Sequence, residues 1–299
     1  MMIRLGFRAP AEVPAGQCDG DSPAAPASRQ VVTWSRGYID RHPATALATV
    51  GNQFLLGVRT IQYLYADSIT GRLAFGECVR QSAFMASAAV VPTIFVSLPI
   101  GVTLSIQFGL LAGQVGATSL AGAASWLAVI RQGAPMVAAL LMAAAVGSAI
   151  CADLGSRKIR EELDAMEIMG VSVIRRLVVP RFIAAVLIGV LLTGVVCFVG
   201  YIAGFVFNVV VQGGAPGSFV ATFASFATVS DLVLTLIKAV VYGAIVAVVA
   251  CEKGLNTKGG PAGVANAVNS TVVSSILLLM LVNVLFTQLS MLLFPRQGL

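Results

Sequence analysis

The sequence predicts an all-α integral membrane protein with N-terminal interfacial helices and five membrane-spanning helices. Three observations support this: the apolar composition, the long apolar runs, and a charged segment between two of those runs. Hydrophobic residues make up 58% of the 299 residues and charged residues only 11%, with a mean hydropathy of +0.91. Ordinary soluble domains have about 25% charged residues. Several apolar runs exceed the roughly 20 residues that cross a bilayer, and a charged segment, residues 153–181, separates two of them.

The N-terminal part carries two different patterns. Residues 1–28 are rich in Ala, Pro and Gly and lack a long apolar run, so we predict a disordered cytoplasmic tail there. Residues 31–75 mix aromatic side chains with arginines, which is typical of helices that lie in the headgroup region of a membrane. A soluble helical hairpin is the alternative interpretation of residues 31–75.

The apolar runs define the crossings. Residues 81–130 contain no charged residue, yet as one helix they would extend about 75 Å, against a hydrocarbon core of about 30 Å. The chain must therefore cross, turn at the glycines of residues 113–116 and return. The predicted spanning helices cover residues 79–112, 121–153, 174–211, 231–251 and 266–294.

The distribution of Lys and Arg predicts the orientation of these helices. The charged segment holds six basic residues, whereas the turns near residues 112–119 and 212–230 hold none. Because cytoplasmic loops are enriched in Lys and Arg, we expect the N-terminus and the charged segment in the cytoplasm and the C-terminus in the periplasm. The expected location is the inner, cytoplasmic membrane.

The charged segment itself predicts a helix over residues 156–170. Ser156 is a suitable N-cap and Gly170 a suitable C-terminal stop. Apolar residues recur on one face, and the basic-to-acidic pairs Lys158–Glu162 and Arg160–Asp164 have the i, i+4 spacing of helix neighbours. Two interpretations stay open for this helix: a docking surface for a soluble protein, or an ordinary solvated loop. The apolar face consists of Ile159, Leu163 and Met166.

Composition and motifs exclude other function classes. The net charge of +6 comes without a dense basic run, so we expect no nucleic-acid partner. Five scattered cysteines and a single histidine predict no metal site and no catalytic residues, and motifs such as HExxH and GxSxG are missing. A secondary transporter or channel is the competing class, although it favours inverted repeats or several acids at the membrane midplane.

One run carries a family resemblance. Residues 161–181, with the sequence EELDAMEIMGVSVIRRLVVPR, resemble the signature of the MlaE/YrbE permeases. Within that family, the motif is most similar to that of actinobacterial YrbE proteins. The likeness extends over roughly residues 45–295. Permeases of this family are membrane subunits of ABC transporters that work with MCE proteins.

The resemblance implies a lipid transporter subunit whose ATP is bound by a separate ABC ATPase. The missing GxxxxGK[ST] motif agrees with this division, and no cofactor is expected in this chain. Residues 156–170 would be the coupling helix that docks on the ATPase. A second permease subunit, identical or a paralogue, would complete the membrane core, with MCE proteins on its outer face. The implied coupling residues are Glu161, Glu162, Asp164, Glu167, Arg175 and Arg176.

The resemblance also implies a lipid cavity between the two permease subunits. From the residues alone, Lys238 either faces such a cavity or snorkels to the surface. Where many family members read Arg-Glu-Leu-Gly-Pro, this chain reads Arg-Gln-Gly-Ala-Pro at residues 131–135, and an arginine of the family is replaced within residues 143–145. The cavity should therefore be less polar, which counts against a simple phospholipid-headgroup site and leaves room for fatty acids, sterols and mycolate-like lipids, next to phospholipids, as candidate substrates. The predicted lipid-contacting residues are Leu98, Ile106, Gln107, Arg131, Gln132 and Lys238.

Overall fold

The structure, a computed structural model, describes residues 51–67, 75–114, 116, 122, 126–211 and 213–293. The backbone of these residues is helical between short turns and contains no strand. Several predictions fall outside the described residues: the tail at residues 1–28, residues 31–50 and 68–74 of the interfacial segment, residues 121 and 123–125 of the second crossing, and residue 294 of the fifth.

The helices are labelled α1 to α8 along the chain. Helix α1 covers residues 51–67, and α4 is a short helix over Glu162–Ile168. Helix α6, Pro216–Phe226, connects two longer helices. The five long helices are α2 (Phe75–Gln114), α3 (Trp126–Gly133, Ala134–Leu141, Met142–Gly147 and Ser148–Ile159), α5 (Ile174–Val178 and Val179–Val210), α7 (Val229–Leu255) and α8 (Gly260–Leu293).

All five long helices are long and apolar enough to cross a membrane, so the predicted all-α class and the five spanning helices are confirmed. Their ends follow local chemistry. Helix α7 begins where the Thr228 hydroxyl accepts a hydrogen bond from the backbone N–H of Asp231, and α6 begins with Pro216 at its first position. Glycines 259 and 260 both have a positive φ and turn the chain from α7 into α8.

The helix predicted over residues 156–170 is wrong as a single element. Helix α3 continues without interruption through Ser156 to Ile159, and the chain bends at Arg160 and Glu161 before α4 begins. The Ser156 hydroxyl does not cap a helix but donates to the carbonyl oxygen of Asp153 at 2.8 Å. Gly170 follows α4 with a φ of +75°, so a glycine stop is present there. Local propensity favours one helix, and ion pairs across the bend oppose it.

Helix α3 lies at the centre of the bundle. It packs against α5, α7 and α8, and its apolar part is mostly buried, whereas that of α8 is mostly exposed. The core around α3 consists largely of small and branched apolar side chains, including Ala143, Val146 and Ile150. Helix α8 therefore borders the bundle and leaves most of its circumference open.

Close contact between α2 and α5 depends on glycine. A Cβ atom added to Gly101 would lie 2.9 Å from the Cα atom of Gly200. Small residues allow membrane helices to approach this closely. We expect Gly101→Val to destabilise the folded protein by about 1–3 kcal/mol, as overpacking does, and denaturant unfolding in micelles measures it.

Gly194→Val is the matched control, because a Cβ atom at Gly194, in α5, would meet nothing within 4 Å. Equal unfolding free energies for the two valine variants would show that the α2–α5 contact does not require glycine.

Candidate functional site

The ionic contacts of the bundle concentrate at the end formed by the last turns of α3, by α4, by the first turns of α5 and by the last turns of α7. We call this the charged end. It contains the predicted coupling residues, and it is separated by the length of the spanning helices from the turn at Gly116 and from α6. Two candidate sites follow: the surface of α4, and a polar cluster around the buried Lys238, to which the exposed Gln132 belongs.

Ion pairs hold α4 against the end of α3. Lys158 Nζ contacts an Asp164 carboxylate oxygen at 2.6 Å, and Arg160 contacts Glu162 at 3.2 Å. Arg157 reaches Glu162 at 3.8 Å. The pairs predicted for a straight helix, Lys158–Glu162 and Arg160–Asp164, are therefore replaced by pairs that cross the bend.

The apolar residues of α4 divide between the bundle and the surface. Leu163 is 3% exposed, which anchors α4 to the bundle, so the predicted apolar face is directed inward at this position. By contrast, Ile168 is 88% exposed and Met169 is 69% exposed, and the neighbouring Glu167 is exposed as well. The surface available to another molecule is thus the end of α4, with two apolar side chains beside carboxylates.

A buried ion pair joins α3 to α5 directly behind α4. Arg181 is fully buried, and its guanidinium donates to the carboxylate of Asp153 and, at 2.9 Å, to the backbone oxygen of Leu177. Arg157 also donates to Asp153, at 3.2 Å. Contacts therefore run continuously from Glu162 through Arg157 and Asp153 to Arg181.

The predicted coupling arginines have different surroundings. Arg175 donates two hydrogen bonds to the carboxylate of Asp67, the last described residue of α1, whose carboxylate is almost completely buried. Arg176 is exposed. Helix α1 makes a further link to α7 through Gln53 and Glu252, at 3.5 Å. Arg175 thus connects the segment after α4 to α1.

The polar cluster lies between α3, α7 and α8. Lys238 is 1% exposed, and its Nζ contacts Gln132 Oε1 at 3.4 Å and the Thr287 hydroxyl at 3.5 Å. Gln132 also donates to Thr287 at 3.3 Å. In the described part of the chain no carboxylate comes within ion-pair distance of Lys238. The ammonium group is buried with two long, neutral contacts.

The other predicted lipid contacts are not all part of this cluster. Arg131 forms an ion pair with Asp231 at 3.8 Å, about 10 Å from Lys238 along α7. Leu98, Ile106 and Gln107 lie on α2, with Leu98 and Gln107 exposed and Ile106 half-buried, and they make none of the polar contacts of Lys238. Only Gln132 and Lys238 among the predicted residues contact one another.

The profile of the family described as Permease MlaE matches residues 78–289, which is more than two thirds of the chain and extends from α2 into α8. The chain belongs to the MlaE permease family. The predicted resemblance is therefore confirmed, and the chain is a multi-pass membrane protein of the ABC transporter permease type.

Individual relatives agree with this membership. A probable ABC transporter permease protein of Synechocystis is 31% identical over 235 residues, which cover 79% of this chain and 88% of that protein. One from Rickettsia bellii is 26% identical over 217 residues, covering 73% and 84%. The chloroplast protein TRIGALACTOSYLDIACYLGLYCEROL 1 of Arabidopsis thaliana is 29% identical over 208 residues, which are 69% of this chain and 55% of that protein.

Several residues of this MlaE permease were missed as site residues in the sequence. Thr287 lies one turn after Asn283, which accepts a hydrogen bond from Tyr242 at 2.8 Å, so two polar residues at i, i+4 spacing were the available signal. The pair of Asp153 and Arg181 consists of the first and last charges of the charged segment. No local pattern indicates that Asp67 pairs with a residue 108 positions later.

Cysteine and acidic residues of the MlaE permease form no metal centre in the ranges that the structure describes. No group of three or more His, Cys, Asp or Glu side chains there could hold a metal ion. Cys78, Cys151 and Cys251 are buried single thiols and serve as small apolar side chains of the helix packing.

Proposed function

We propose that this chain is the membrane subunit of an MCE-type ABC transporter, in which a separate ATPase drives the movement of lipids. The ATPase docks on α4 from the cytoplasm and hydrolyses ATP, while this chain supplies the path for the lipid. A second permease subunit and MCE proteins complete the assembly in the inner membrane. The N-terminus and the charged end face the cytoplasm, and the C-terminus faces the periplasm.

The observation that carries this proposal is the exposed end of α4. An isoleucine that is 88% exposed, between Glu167 and Met169, lies at the end of a short helix that ion pairs hold to α3. Large exposed apolar groups with polar surroundings are typical of protein-binding surfaces. A soluble partner at this position contacts α4 and, through it, both α3 and α5.

The polar cluster supports the lipid part of the proposal. A lysine buried among membrane helices is costly and typically marks a substrate path. The name of the chloroplast relative refers to a galactolipid. We place the lipid headgroup at Lys238 with Gln132 and Thr287, and the acyl chains along the apolar faces of α2, where Leu98 and Ile106 lie.

The test is a double substitution at the end of α4. Ile168→Ser with Met169→Ser should abolish stimulation of the ATPase by the permease and lipid transport in a reconstituted complex, since both apolar contacts to the ATPase are lost. Membrane insertion should be unchanged because both side chains are exposed.

Val229→Ser is the matched control, as Val229 is 76% exposed but belongs to the opposite end of the bundle. Normal ATPase stimulation and transport by the double variant would contradict docking at α4. Lipid movement that continues without any ATPase would instead favour a secondary transporter or channel.

A further inference from the structure

The joint between α3 and α4 has an unusual backbone conformation. Glu161 has a φ of 60° and a ψ of 14°, and it is the only non-glycine residue with a positive φ in the described ranges. Its N–H donates to Lys158 O at 3.1 Å, and its carbonyl oxygen accepts from the N–H of Ala165 at 3.0 Å. Glu161 therefore ends one helix and starts the next in a conformation that glutamate adopts about 5- to 30-fold less readily than a right-handed one.

The joint after α4 shows that this strain is not required for a helix end. Gly170 has a φ of 75°, and its N–H donates to Glu167 O at 3.0 Å while the N–H of Val171 donates to Met166 O at 3.0 Å. This is the usual glycine-terminated helix end. The strain is specific to the joint at Glu161.

The ion pairs around Glu161 form only when the joint is bent. Lys158–Asp164 and Arg160–Glu162 join residues that are six and two positions apart. With 3.6 residues per turn, residues six and two positions apart are separated by about 120° and about 160° around a continuous helix, so neither pair shares a face. The charges thus stabilise the bend that the Glu161 backbone opposes.

The same side chains also fit a straight helix. Lys158 and Glu162, Arg160 and Asp164, and Arg157 and Glu161 are each four residues apart, so they become neighbours if the helix is continuous. Arg, Lys, Glu, Leu, Ala and Met, which make up most of residues 157–168, are strong helix formers. Two conformations therefore satisfy one set of charges with different partners.

We infer that residues 160 and 161 form a two-position hinge, bent in this structure and straight in its second position, where α3 and α4 become one helix. Glu161 is a positioning residue that acts through its backbone, because its exposed side chain makes no ion pair in the described part of the chain. This inference rests on the proposed function, in which the hinge converts ATPase movement at α4 into movement of α3.

The test measures the hinge in the full chain in lipid nanodiscs. Spin labels at Ala152→Cys and Ala165→Cys, with Cys18 and Cys197 replaced by serine, would lie about 20 Å apart along a continuous helix, and any bend shortens this distance. Two distances are expected in the parent chain. Glu161→Gly should raise the ratio of bent to straight about 5- to 30-fold relative to Glu161→Ala, although both variants remove the same carboxylate.

A single distance that is identical in the glycine and alanine variants would overturn the hinge. Gly170→Ala, which strains the second joint instead, controls for general distortion of α4 and should leave the ratio unchanged. With the ATPase subunit bound, nucleotide should redistribute the two distances. Unchanged distances during active lipid transport would overturn the role of the hinge. If the parent chain shows both distances but neither binds the ATPase nor transports lipid, the proposed function alone is contradicted.

Discussion

Lys238→Met is expected to reduce the affinity of the purified protein for an anionic lipid by about 10- to 150-fold. The substitution keeps the length of the side chain but removes the ammonium group, whose present contacts are long and neutral, at 3.4 and 3.5 Å. A hydrogen bond to a charged group contributes about 1.5–3 kcal/mol, and a headgroup carboxylate or phosphate would form such a bond with Lys238. Mass spectrometry of co-purified lipid and a lipid titration measure the effect.

Three comparisons separate lost binding from lost folding. Lys238→Arg retains the positive charge and should keep most of the lipid, and Lys258→Met removes an exposed charge at the charged end and should change nothing. The unfolding free energy of Lys238→Met without lipid should equal or exceed that of the parent, since a buried unpaired charge is removed. Equal lipid affinity in the methionine variant and the parent would show that the headgroup does not contact Lys238.

Asp153→Asn is expected to destabilise the folded protein by about 3 kcal/mol. It removes the negative charge that pairs with Arg181, whose side chain is only 2% exposed and would keep its own charge with only neutral acceptors, the new amide oxygen at position 153 and the Leu177 carbonyl. Breaking one partner out of a buried pair costs about 3–5 kcal/mol, and the low end applies because the Asp153 side chain is 33% exposed. Denaturant unfolding in micelles measures this change.

Asp164→Asn is the matched control for Asp153→Asn. It breaks the pair with Lys158, but its side chain is 53% exposed, so the expected loss is about 0–1 kcal/mol. The double variant Asp153→Asn with Arg181→Met should recover stability relative to Asp153→Asn, because the unpaired charge is then absent. Equal losses for the two asparagine variants would mean that Arg181 is neutralised by another group.

The spanning helices were predictable because each consists of an apolar run longer than a membrane core. Composition alone indicates where α5, α7 and α8 lie, and glycines at residues 113–116 indicate the first turn, where Gly116 has a φ of 68° and donates to Gly113 O at 3.0 Å. The bend at Glu161 could not be predicted, because the local sequence favours a continuous helix and the opposing ion pairs join residues across the bend. Tertiary contact overrides local propensity there.

The site was predictable to a smaller extent. Lys238 and Gln132 stood out because polar residues are rare in the apolar runs, and the structure brings their side chains into contact. The third member, Thr287, is a common residue in membrane helices, and its only signal was the i, i+4 spacing from Asn283. Arg175 was predicted as a coupling residue, but its partner Asp67 lies in a separate helix, and only the fold brings the two together.

The bond between Asp67 and Arg175 joins α1, the helix that exposes Phe54 and Tyr65, to the very segment that leaves α4. A movement of α4 would therefore act on two helices: on α3 through the ion pairs at the bend, and on α1 through the bond between Arg175 and Asp67. If α1 lies among lipid headgroups, as its aromatic side chains favour, a movement of α4 would also displace the lipids around α1. In the proposed function, the lipids that surround the protein, and not only the transported lipid, would then move during the ATPase cycle.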